Sequence, residues 1–123
     1  MLPENEKESP VVDPVERMTD LEKGMGQLGE EAPELMAAFI QMDNAAYVEG
    51  ELDRKTKELM AIAASVALRC PYCITLHVRQ CFELGANREE ILEAASVGVA
   101  FGGSPSMSYT AAVLMPALEE YED

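Results

Sequence analysis

Proline and glycine divide this chain into helix-sized pieces, and that punctuation constrains the fold more than any other feature of the sequence. Asp13-Pro14 is a helix start, because aspartate caps free N–H groups and proline suits the first helical position. Apolar spacing carries that helix to about Leu28, with Gly24 and Gly26 weakening its end. Pro33 opens a second helix, which places Leu35, Met36, Phe39, Ile40 and Met42 at helical spacing before Gly50 closes it. Asp53 caps a third, Arg54 to about Leu68, whose apolar face is Leu59, Ile62, Ala63, Val66 and Ala67. Pro71 begins a fourth, stopped by Gly85 in the left-handed conformation that glycine adopts freely. Asn87-Arg88-Glu89-Glu90 reads as a capping-box-like start for a fifth helix ending at Gly102-Gly103. Ser104-Pro105 begins the sixth, which runs to about Tyr121. Pro116 is expected to bend it or end it early, since its ring meets the carbonyl four residues back. No stretch alternates as a strand does. The sequence therefore predicts an all-α fold of about six helices.

With 123 residues the chain fits one domain. Residues 1–12 are polar, contain Pro3 and Pro10 and show no periodicity, so they read as a flexible N-terminal arm. Residues 13–123 read as the helical domain. The helices from Asp53 to Phe101 hold little besides small apolar residues. A helix apolar on most sides is buried on most sides, and in so short a chain that predicts burial against further copies in a homo-oligomer.

The net charge of −14 repels phosphate backbones and anionic lipid surfaces, so neither nucleic acid nor membrane is an expected partner. No basic start followed by an apolar run reads as a secretory signal, and no stretch reaches the roughly 18 apolar residues of a membrane span. Three cysteines, two of them spaced Cys-x-x-Cys, do not form a disulfide framework. These features predict a cytoplasmic protein.

The chemistry is concentrated at Cys70-Pro71-Tyr72-Cys73, at the start of the fourth helix. Unpaired N–H groups and the positive end of the helix dipole both favour a thiolate there, and the thiolate is the nucleophile. His77, the chain's single histidine, lies four positions after Cys73 and so on the same face, where its imidazole can take a thiol proton. Glu58 lies on a largely apolar stretch of the third helix and needs a buried partner, for which His77 is the candidate. A Cys-x-x-Cys pair alone is also compatible with structural zinc or with two inert thiols. Cys81 could complete a set with Cys70, Cys73 and His77, but such sites ordinarily draw ligands from two chain segments and no second pair is present. No metal is expected, and Cys81 reads as a small buried hydrophobe.

Glu58, eleven intervening residues, Cys70-Pro71-Tyr72-Cys73, three residues and His77 form a pattern that resembles the carboxymuconolactone decarboxylase superfamily, specifically its alkylhydroperoxidase D-like branch. The similarity extends from Leu52-Asp53-Arg54-Lys55-Thr56-Lys57-Glu58-Leu59 through Leu84-Gly85-Ala86 to the Ala-rich fifth helix. The resemblance implies an all-helical homo-oligomer, a trimer or a hexamer built as a trimer of dimers, and peroxide-linked thiol–disulfide chemistry. By position it implies Cys73 as the more reactive thiol, Cys70 as its disulfide partner, His77 as base and Glu58 as a member of the proton relay. It implies no bound cofactor but an external dithiol reductant, such as a lipoyl group on a partner or a thioredoxin-like protein, and a peroxide or disulfide substrate. Where that branch carries a histidine before the second cysteine, this chain has Tyr72, an accessory candidate. The alternatives are a lyase acting on a small carboxylated lactone through His77 and Glu58, and a non-catalytic helical assembly with a zinc or inert thiol site.

Overall fold

The computed structural model describes residues 12–123, and the expected arm lies outside them except for Val12. Every described element is helical: α1 (Pro14–Glu31), α2 (Pro33–Tyr47), α3 (Arg54–Leu68), α4 (Pro71–Glu83), α5 (Arg88–Gly102) and α6, which begins as Ser104–Tyr109, passes through a π-helical turn at Thr110–Leu114 and ends as Met115–Tyr121. The helix starts use the caps read from the sequence. Asp13 accepts from Val15 N–H, Asp53 accepts from Thr56 N–H, and Asn87 and Glu90 form a reciprocal capping box.

One boundary differs from expectation, and the early end considered for α6 at Pro116 does not occur. α1 continues past Leu28 to Glu31, so its glycines do not end it. The cost of a glycine in a helix, about 1 kcal/mol, is too small to end a helix whose start is capped and whose Met18 is buried. Pro116 neither ends nor shortens α6. The preceding turn widens instead, and Met115 N–H bonds to the Thr110 carbonyl five residues back. A wider turn shifts the carbonyls preceding the proline ring, which is how a helix passes a proline without stopping.

α4 is the central element, touching α1, α3 and α6. The core unites Ile62 and Val66 of α3, Ile74, Val78 and Cys81 of α4, Ile91 and Ala95 of α5, and Val113, Leu114, Ala117 and Leu118 of α6. The most extensive helix contact is that of α3 with α5. Gly98 allows it: a Cβ there would press on the Ala63 carbonyl and stand 3.0 Å from the Val66 side chain. Between α3 and α4 the chain reverses in two residues, with Arg69 in the left-handed region (φ 57°) and Cys70 N–H closing on the Ser65 carbonyl. After α4, Gly85 takes φ 86° and supplies the left-handed stop.

α2 stands apart, because none of its residues is buried. Leu35, Phe39, Ile40 and Met42, spaced as a core face, are exposed in the single chain. Met60 and Leu68 of α3, Val97 and Phe101 of α5 and Met107 of α6 are exposed as well, Phe101 at 86% and Leu68 at 75%. Among the described residues no helix is long and apolar enough to cross a membrane.

Candidate functional site

The reversal at Arg69-Cys70 sets the start of α4 beside the end of α3. Cys70 has extended backbone (φ −103°, ψ 102°), as the residue before a proline prefers, and acts as the N-cap of α4. Its Sγ accepts a hydrogen bond from Cys73 N–H at 3.2 Å. Cys70 and Cys73 are joined by a disulfide across this first turn. Both are partly buried, but only Cys73 lines the neighbouring cleft, a space of about 420 Å³ between α1, α2, α3 and α4.

One turn further along α4, His77 Nδ1 lies 2.6 Å from Glu58 Oε2 on α3. Glu58 is 3% exposed, so its carboxylate depends on protein partners in place of water. With Nδ1 engaged by the carboxylate, Nε2 is the nitrogen left to exchange a proton with a reactant. The structure thus brings together the two residues whose meeting the sequence could only suggest, because their contact requires α3 to pack on α4.

Two further residues complete the site and escaped the sequence reading. Tyr47, the last residue of α2, stacks on the His77 ring with centroids 5.8 Å apart and planes at 22°. Burial, together with the Glu58 carboxylate, pushes its hydroxyl above the usual tyrosine range. Nothing in the sequence points to Tyr47, since α2 reaches the site only through tertiary packing. Gln80 lies three positions after His77 and seven after Cys73, on the same stripe of α4, and that spacing was a signal. With its amide nitrogen turned to the pair, Gln80 donates to Glu58 Oε1 and Oε2, each at 3.1 Å. Tyr72 is 46% exposed and also lines the cleft, whose walls include Leu21, Met25, Phe39 and Leu76. Arg54, at the start of α3, supplies the cleft's guanidinium.

Cys81 belongs to the core. It is fully buried, and its thiol is pushed up to about 12, by burial first and then by the Glu58 and Glu90 carboxylates. Among the described residues no three histidine, cysteine, aspartate or glutamate side chains are grouped to hold a metal ion. In the oxidised, folded protein a thiol reagent should therefore find nothing to label at pH 8, and denaturant should release one reactive thiol per chain. Labelling of the native protein would contradict the burial of Cys81. The same group makes stability pH-dependent. Its folded value lies above that of an ordinary thiol, so its contribution is complete below about pH 8.5 and is lost as pH rises through about 12.

Fold and site together define a class: a small all-helical protein with a Cys-x-x-Cys disulfide at a helix N-terminus, set one turn from a buried glutamate–histidine pair. A sequence model of the carboxymuconolactone decarboxylase family matches residues 33–115. The chain belongs to the carboxymuconolactone decarboxylase family. A solved structure of a family protein from Legionella pneumophila is 40% identical and superposes with a TM-score of 0.84 over 89% of this chain and 97% of that one. A second, from Thermotoga maritima, is 33% identical with a TM-score of 0.75 over 85% of this chain and 89% of that one, and its description ties it, as a possibility, to an antioxidative response. An uncharacterized protein of Cupriavidus necator is 33% identical over 98 residues, 80% of this chain and 87% of its own length.

Proposed function

We propose that the protein is a thiol–disulfide oxidoreductase with peroxidase-type activity. The observation that carries this reading is the Cys70–Cys73 disulfide at the start of α4, with Cys73 on a cleft that His77 and Glu58 also line. In the reduced protein, His77 takes the Cys73 proton and the thiolate attacks the outer peroxide oxygen. The O–O bond breaks, Cys73 becomes a sulfenic acid, and the proton passes to the leaving alkoxide to give an alcohol. The Cys70 thiolate then attacks the Cys73 sulfur, expelling hydroxide, which leaves as water after protonation, and the disulfide closes. An external dithiol, a lipoyl group or a thioredoxin-like protein, attacks Cys73 and is itself oxidised as the pair is reduced. Cys70 suits the leaving role, because its sulfur already accepts the Cys73 N–H. The apolar wall of Leu21, Met25, Phe39 and Leu76 suits an organic hydroperoxide. A cytoplasmic location would keep such a dithiol reduced.

Replacing both Cys70 and Cys73 with serine tests the reading. Dithiol-dependent peroxide consumption should fall to the uncatalysed rate. A lactone decarboxylase working through His77 and Glu58 alone would keep its activity in that variant, and unchanged peroxide consumption would overturn the redox assignment.

We further propose a homo-oligomer in which the exposed Leu68, Val97, Phe101 and Met107 meet further copies of the chain. These large side chains are exposed on α3, α5 and α6 in the single chain, and apolar contacts let copies of so acidic a protein meet without opposing like charges. Sedimentation at micromolar concentration should give a multiple of the 13.4 kDa chain mass, and Phe101→Glu should reduce it. A wild-type monomer would contradict the assembly.

A further inference from the structure

We propose that Gln80 is a positioning residue that fixes the Glu58 carboxylate against His77, an inference that rests on the redox reading of the same site. A carboxylate 3% exposed needs hydrogen-bond donors in place of water. His77 Nδ1 meets Oε2. No other described side chain besides His77 and Gln80 donates to Glu58, and only the Gln80 amide, with its nitrogen turned to the pair, reaches Oε1, at 3.1 Å, while standing 3.1 Å from Oε2 and 3.2 Å from His77 Nδ1.

The amide spans the two carboxylate oxygens and Tyr47 stacks on the imidazole, so each member of the pair has a further neighbour besides its partner. The groups facing the pair are Tyr47 and Asp43 on α2, Arg54 on α3, and Cys73 and Cys81 on α4. None of these is a neutral donor that reaches Oε1. The placement is economical: Cys73, His77 and Gln80 occupy positions i, i+4 and i+7 of one helix, so nucleophile, base and support share a single rigid stripe. Gln80 touches no reactant in this scheme. It acts through Glu58, by holding the carboxylate aligned on Nδ1 so that Nε2 stays free to accept a proton.

Gln80→Met tests this, because methionine keeps the length and apolar volume and removes the donor. The chain has one histidine, so its ring NMR signals are unambiguous. In the wild type, the Nδ1 proton held by Glu58 should appear as one far-downfield resonance protected from solvent exchange. In Gln80→Met that resonance should broaden or vanish, and the rate of Cys73 oxidation at pH 7 should fall about tenfold. The deficit should shrink at high pH, where the thiol ionises without a base. Gln80→Glu keeps the shape but sets a second carboxylate against Glu58, and should lose at least as much rate at pH 7. A Gln80→Met protein that is folded and keeps both the resonance and the rate would overturn the role. If the wild type shows the resonance and Gln80→Met loses it, but neither reacts with peroxide, the positioning role stands and the redox reading fails.

Discussion

Cys73→Ser should reduce peroxide turnover to the uncatalysed rate, whereas Cys70→Ser should react once and stop. These opposite outcomes are expected because the two sulfurs occupy different surroundings on the same helical turn. Cys73 faces the cleft, and Cys70 does not line it. Cys70 instead caps α4 and accepts the Cys73 N–H. Negative charge that reaches a capping sulfur is met by backbone N–H, which suits Cys70 to resolve the sulfenic acid and later to leave when a reductant attacks Cys73. Rapid mixing of reduced variants with one equivalent of organic hydroperoxide separates the roles. Cys70→Ser should consume one equivalent and accumulate a sulfenic acid on Cys73, trappable by a dimedone-type reagent. Cys73→Ser should consume none. The reverse pattern, with the adduct on Cys70, would exchange the two roles while leaving the dithiol chemistry intact.

His77→Ala should carry the second-largest effect, about 10²- to 10⁴-fold at pH 7, the range that a positioned proton acceptor contributes. The loss should be pH-dependent. An ordinary thiol ionises near pH 8.5, so at about pH 9.5 the variant needs no base and should recover most of the wild-type rate. Stopped-flow oxidation of the reduced protein across that range provides the measurement. A rate deficit that stays constant from pH 7 to pH 9.5 would assign His77 a packing role, since the loss of a base and the loss of Tyr47 stacking differ in this respect.

Much of the fold was legible because its signals are local. The caps at Asp13, Asp53 and Asn87 and the left-handed stop at Gly85 are decided by a few neighbouring residues, and the structure uses each of them. The departures arise where a local preference is weak or can be absorbed. Gly24 and Gly26 did not end α1, and α6 accommodated Pro116 by widening one turn. α2 shows a different limit. Leu35, Phe39 and Ile40 have the spacing of a core face, but spacing reports which side of a helix is apolar and not what covers it.

The candidate site divides in the same way. Cys70, Cys73 and His77 share one helix, so their spacing already sets their relative positions, and Gln80 could have been added on that basis. Glu58 could be identified as a carboxylate in need of a partner, but its contact with His77 depends on how α3 crosses α4. Tyr47 stacks on that histidine from the end of α2, a contact created entirely by tertiary packing.

A thiol count made in denaturant on fully reduced protein, before and after one equivalent of organic hydroperoxide per chain, tests the central claim most directly. The chain has three cysteines, of which Cys81 is buried and free. The account predicts that the count falls from three to one, with a Cys70–Cys73 disulfide recovered by peptide mapping and Cys81 unmodified. A count that stays at three, with the peroxide unconsumed, would contradict it.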